Sequence, residues 1–181
     1  MIARLTSLCV GVLWLANTAP ASADRLDDEQ LAVDVQDALT RFEEKDPSFR
    51  ATLDKAAGYA VFPEVAKGGF IVGGASGRGE VYQGGQLIGH GHLSQGTIGF
   101  QIGGQKYAQV ILFKTESALN RFKKNRFELS AEANANASDQ GGAAKAKYAD
   151  GVAILILPTS GLMAEASIGG EKLKFRPLRD M

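Results

Sequence analysis

His90 and His92 stand two apart in QLIGHGHLSQ, so on a strand both imidazoles point to one face, where two neutral nitrogens can share a divalent cation. They are the only histidines in the chain, and no carboxylate lies close to them in sequence to complete a ligand set. A polar pair on a strand face is therefore expected, and no metal site. GASGRG, residues 74–79, has the glycines of a phosphate cradle. It lacks the Gly-Lys-Ser/Thr ending of a P-loop and the strand-to-helix setting of a dinucleotide fingerprint, and is expected to be a hairpin. Ser160 precedes Gly161 without a Gly-x-Ser-x-Gly elbow, and neither histidine has an evident acidic orienter, so no hydrolytic triad is expected. The expectation is a protein with no catalytic residue and no cofactor, not an enzyme.

Residues 1–23 read as an export signal. Arg4 is their only charge, an apolar run from Leu8 to Ala16 is too short to span a bilayer, and Ala21-Ser22-Ala23 offers the small residues a signal peptidase reads. Cleavage is expected between Ala23 and Asp24, giving a periplasmic or secreted protein. Cys9, the single cysteine, and Trp14, the single tryptophan, would leave with that segment. The remainder would hold no thiol, so disulfides, cysteine metal sites and cysteine nucleophiles are ruled out together. Without Arg4, nineteen Lys and Arg face twenty Asp and Glu, a net charge near minus one. No global field draws such a chain to nucleic acid or membrane, and any anion binding must be local.

Residues 24–181 suit a single domain. Leu31, Val35, Leu39 and Phe42 make one apolar stripe on a helix whose other face is acidic. Asp46-Pro47 reads as a cap and first turn for a second helix that carries Phe49 and Leu53 and stops at Gly58, so residues 24–58 form a helical lead-in. From Tyr59 the period changes to two. YAVFP, GFIVGG, GEVY, QLIGHGHL, TIGFQIGG and YAQVILF predict an antiparallel meander over 59–113, with Gly84-Gly85 as a two-residue hairpin turn. Thr115 is a plausible N-cap for a helix over 115–127, with Arg121, Lys123, Lys124 and Arg126 crowding its C-terminal end, where cations complement the helix dipole. Residues 130–176 are expected to supply the C-terminal strands; SAEANANAS, 130–138, reads as a strand of small residues with helix as its alternative.

Between Gly68 and Gly104, fourteen of thirty-seven residues are glycine. Each glycine inside a strand costs about 0.5–1 kcal/mol relative to alanine, so such density implies a demand of curvature, bulging or close backbone approach. Interleaved Val, Ile and Phe argue against a flexible linker.

KAAGYAVFPEVAKGGFIVGGASGRGEVY, then GTIGFQIGGQKYAQVILF followed by a helix, and finally a strand followed by TSGLMAEASIGGEKL, resemble the SYLF domain over roughly residues 50–175. The A-x-G-Y-x-V-F-P opening and G-x-Q-I-G-G-Q are the most specific pieces, and their order and spacing together strengthen the match. The resemblance implies a non-enzymatic domain that binds anionic phospholipids, phosphoinositide-like head groups among them. Some eukaryotic members also bind actin, which a bacterial envelope protein would not meet. On that implication the candidate lipid contacts are Arg121, Lys123, Lys124, Arg126, Lys145 and Lys147, each worth about 1 kcal/mol near an anionic leaflet. The plainer reading makes the first four one helix's solvated end, since they do not all fall on one face.

The expected fold is α+β, a strongly curved, glycine-rich antiparallel sheet bending toward a barrel and covered by helices. The expected partner is an anionic phospholipid membrane surface. The alternatives are an envelope scaffold without a lipid role and a carrier holding an apolar ligand.

Overall fold

The computed structural model describes residues 21–69, 72–98, 105–125, 134–136, 142–160 and 171–178. Helix α1 spans Ala21–Lys45 and α2 spans Phe49–Lys55. Four strands follow, β1 (Gly58–Gly69), β2 (Val72–Gln83), β3 (Gln86–Ile98) and β4 (Gln105–Phe113), then α3 (Glu116–Lys123), β5 (Asn134–Asn136), β6 (Val152–Ser160) and β7 (Glu171–Pro177). They form one sheet in the order β5-β6-β4-β1-β2-β3-β7, antiparallel throughout except for the parallel pair β5–β6. Only β1, β2 and β3 run as a meander, because β4 returns to pair with the other edge of β1.

Several sequence expectations are redrawn. The glycine pairs between apolar pieces do not break the strands: YAVFP runs on through Gly69 in β1, and GASGRG lies in the middle of β2 rather than in a hairpin. The true turn is Gly84-Gly85, whose φ values of 58° and 78° are the left-handed pair that a two-residue hairpin requires. Gly79 is glycine for a different reason. A Cβ there would stand 2.8 Å from Phe62 Cδ1 and collide with the Val61 carbonyl oxygen, where β1 is bulged against both neighbours. Pro63 sits inside that bulge, the place where a central strand tolerates a residue without an N–H.

Both faces of the middle of the sheet are buried, which is why β6 reads as an unbroken apolar run from Val152 to Leu157 and β4 is apolar from Tyr107 to Phe113 but for Gln109. On the outer face, Leu31, Val35, Ala38, Leu39 and Phe42 of α1, with Phe49 and Leu53 of α2, pack on Val61, Val110, Leu112 and Leu155. On the inner face, Ala118, Leu119 and Phe122 of α3 pack on Phe62, Ile111, Phe113, Val152 and Ile154. Thr115 caps α3 as expected, its hydroxyl accepting from Ala118 N at 3.2 Å. Phe122 stacks on Phe113 at 5.0 Å and meets Phe175 of β7 at 5.8 Å, so α3 bridges from the central strands to the edge.

Asp46 does not cap α2, whose N-cap is Ser48 with no side-chain bond to the helix's first turn. It is fully buried instead, accepting from Ser48 N at 2.9 Å, Ser48 Oγ at 2.7 Å and Ala143 N at 2.7 Å, and so ties the helix corner to the segment before β6. The expected strand at 130–138 is described only at Asn134–Asn136, where it is a strand; Gly169-Gly170, LMAEASI and residues 1–20 lie outside the described residues. The fold is thus α+β with a sharply bent sheet, which among the described residues is not closed into a barrel: β5 and β7 are its edges.

Candidate functional site

Helix α3 is amphipathic because Ala118, Leu119 and Phe122 face the core, and this drives the basic residues between and beyond them to the surface. Arg121 is exposed and donates to the Asp150 carbonyl at 2.5 Å, fixing the turn into β6. Lys123 is half-buried, with Nζ 3.4 Å from Gln83 Oε1 at the end of β2, and Lys124 is exposed at the helix end. Arg126 lies outside the described residues. Lys145 and Lys147 are exposed, but their segment packs through Ala143 and Ala146 with the α1 and α2 cluster of the outer face, whereas α3 fills the inner one.

A second cationic group comes from β7. Its residues alternate between buried Glu171 and Leu173 on one side and exposed Lys172, Lys174 and Arg176 on the other. Two-residue spacing puts three positive side chains in one file, about 7 Å apart, on the outer face of an edge strand. The pairing with β3 extends the file sideways. Lys174 is opposite His92, which is opposite Arg78 of β2; Lys172 is opposite Ser94, which is opposite Ser76. His92, Arg78 and Ser76 are exposed and Ser94 is half-buried. The alternation in EKLKFRP was visible in the sequence, but its neighbours across the sheet were not, because β7 pairs with a strand some eighty residues earlier.

The two histidines do share a face, and α1 brings His90 the acidic neighbour that the local sequence lacked. Asp28 Oδ1 lies 2.8 Å from an Arg78 guanidinium nitrogen and 3.9 Å from His90 Nδ1, and Asp27 lies 3.9 Å from Arg78. Among the described residues no group of three or more His, Cys, Asp or Glu side chains could hold a metal ion.

The inner face holds a buried polar group. Glu171 is fully buried and accepts from Gln109 Nε2 at 3.0 Å, with Tyr107 and Lys67 also close enough to influence it. Burial pushes the Glu171 carboxyl up to about 7, partly offset by Gln109, Lys67 and Tyr107, which favour its charged form. Burial raises the Tyr107 hydroxyl as well, reinforced by Glu171. Sequence reasoning missed this group, since its members come from β1, β4 and β7.

The comparisons agree with the motifs. The family model named Ysc84, described as Las17-binding protein actin regulator, matches residues 94–178. Residues 94–178 of this chain match the SYLF family. A curated relative, beta cell expansion factor A of Aeromonas veronii, is 32% identical over 138 residues, which are 75% of this chain and 52% of the relative. The chain therefore spans about half the length of the curated relative it matches. The match at 94–178 takes in both cationic groups, α3 with Lys145 and Lys147, and β7, but begins after Arg78 and the histidines. Its description names binding and regulation rather than a reaction.

Proposed function

We propose that this protein is exported by cleavage between Ala23 and Asp24 and associates without catalysis with anionic phospholipid head groups at a membrane surface. One observation carries the reading: Lys172, Lys174 and Arg176 form a single exposed file on the outer face of β7. Three to six cations near an anionic leaflet, at about 1 kcal/mol each, support weak, salt-sensitive association and need no deep pocket. Arg121, Lys123, Lys124, Arg126, Lys145 and Lys147 belong to the same proposal as a second set of contacts. No described helix is long and apolar enough to cross a membrane, which fits attachment through surface charge.

The test is flotation of the mature protein with vesicles of phosphatidylcholine alone and with added phosphatidylglycerol, at low and high salt. Flotation that needs the anionic lipid and is lost at high salt is the expected result. Equal failure to float on every vesicle refutes the proposal.

A further inference from the structure

We infer that the outer faces of β2, β3 and β7 form a phosphate-reading site for lipid head groups, occupied in the free protein by the carboxylate of Asp28. The inference rests on the lipid reading above and names the place and its gate.

The site is a grid rather than a scatter of charges. Sheet pairing holds Lys174, His92 and Arg78 in one row and Lys172, Ser94 and Ser76 in the next. Adjacent strands lie about 4.8 Å apart, so ammonium, imidazole, guanidinium and hydroxyl donors all fall within the footprint of one or two phosphate groups. Arg176 extends the grid beside His90. The nearby carboxylates leave the grid positive: Glu64 is paired with Lys106 at 2.8 Å, and Glu80 is buried beneath α1, where it accepts from the Tyr82 hydroxyl.

Asp28 shows that the grid attracts an anion. Its carboxylate is held by Arg78 and approaches His90 Nδ1, a buried nitrogen with no hydrogen bond among the described residues. A carboxylate there occupies the place that a phosphate oxygen would take. The hold on Asp28 is weak. Residues of α1 before Leu31 add no described side chain to the core, Leu26 is 66% exposed, and the Arg78 and Asp28 side chains are half-exposed. Exposed pairs of this kind contribute about 0–1 kcal/mol, so a surface offering several phosphates displaces the acidic turn readily. The body of α1, anchored through Val35, Ala38, Leu39 and Phe42, can stay in place while that turn lifts.

Two measurements test the site separately from the lipid reading. The first is flotation on phosphatidylglycerol vesicles of Lys174→Gln, Asp28→Asn and Lys55→Gln, the last an exposed cation at the end of α2 outside both cationic groups. The second is NMR of the His90 and His92 imidazoles during titration with inorganic phosphate. Lys174→Gln is expected to weaken vesicle binding about fivefold, the loss of one cation near the leaflet, while Asp28→Asn strengthens it and Lys55→Gln changes it less than Lys174→Gln. Phosphate is expected to shift both imidazoles, and more so in Asp28→Asn. If the protein floats but Lys174→Gln and Asp28→Asn bind as the unaltered protein does, the site is overturned while the lipid reading stands. Imidazole shifts without flotation on any vesicle keep a phosphate site but overturn lipid as its ligand. Neither flotation nor shifts overturns both.

Discussion

Gln109 of β4 donates to Glu171 of β7 at 3.0 Å, although three strands lie between β4 and β7 in the sheet. In a flat sheet those strands would stand about 19 Å apart. The contact therefore measures the bend, and the bulges at Val61/Glu64, Phe62/Val65 and Val81/Tyr82 supply it. The same bend puts a carboxyl in the core on one side of β7 and a file of cations in solvent on the other.

Glu171 makes stability depend on pH. Its carboxyl is pushed from 4.5 to about 7 on folding, so the folded state binds the proton more tightly than the unfolded chain. The contribution is whole below about 4.5, falls as pH rises, and levels above about 7, amounting to about 3 kcal/mol. Thermal unfolding from pH 5 to pH 8 should show a falling Tm for the unaltered protein and a flatter profile for Glu171→Gln, with the variant the more stable at pH 8.

Two glycines of neighbouring strands should respond oppositely to alanine. At Gly79 a methyl meets Phe62 and the Val61 carbonyl, and overpacking of this kind costs about 1–3 kcal/mol. At Gly96 nothing lies within 4 Å of a built Cβ, so alanine should be neutral or stabilise by about 0.5–1 kcal/mol. Urea denaturation of the two variants checks the contrast.

Asp46 is a buried tie between three segments. Asp46→Ala leaves the Ala143 and Ser48 amides without their acceptor and should cost about 1–3 kcal/mol for each amide that water cannot reach. Denaturation midpoints, together with faster amide exchange at Ala143 and Ser48, report it.

The Arg121 contact to Asp150 holds the turn into β6, so Arg121→Gln should lower stability by about 1 kcal/mol as well as weaken vesicle binding, whereas Lys174→Gln should weaken binding with the Tm unchanged. Flotation and thermal unfolding on the same samples separate the two effects.

The amino-acid sequence by itself determined the local pieces, because their causes are local. Periodicity placed the apolar stripe of α1, Thr115 announced the start of α3, positive φ required Gly84-Gly85, and the ordered motifs carried the family resemblance. By sequence, Asp46 reads as a helix cap and Gly79 as part of a hairpin, and both roles prove different in the fold. Each role depends on which atoms of other segments come near, Phe62 for Gly79 and Ala143 for Asp46. Tertiary structure alone decided that β4 turns back to β1, that Glu171 meets Gln109, and that Lys174, His92 and Arg78 stand in one row under the edge of an acidic helix. Strand pairing and sheet curvature are set by the summed packing of two cores. No stretch of chain shorter than the domain contains that sum.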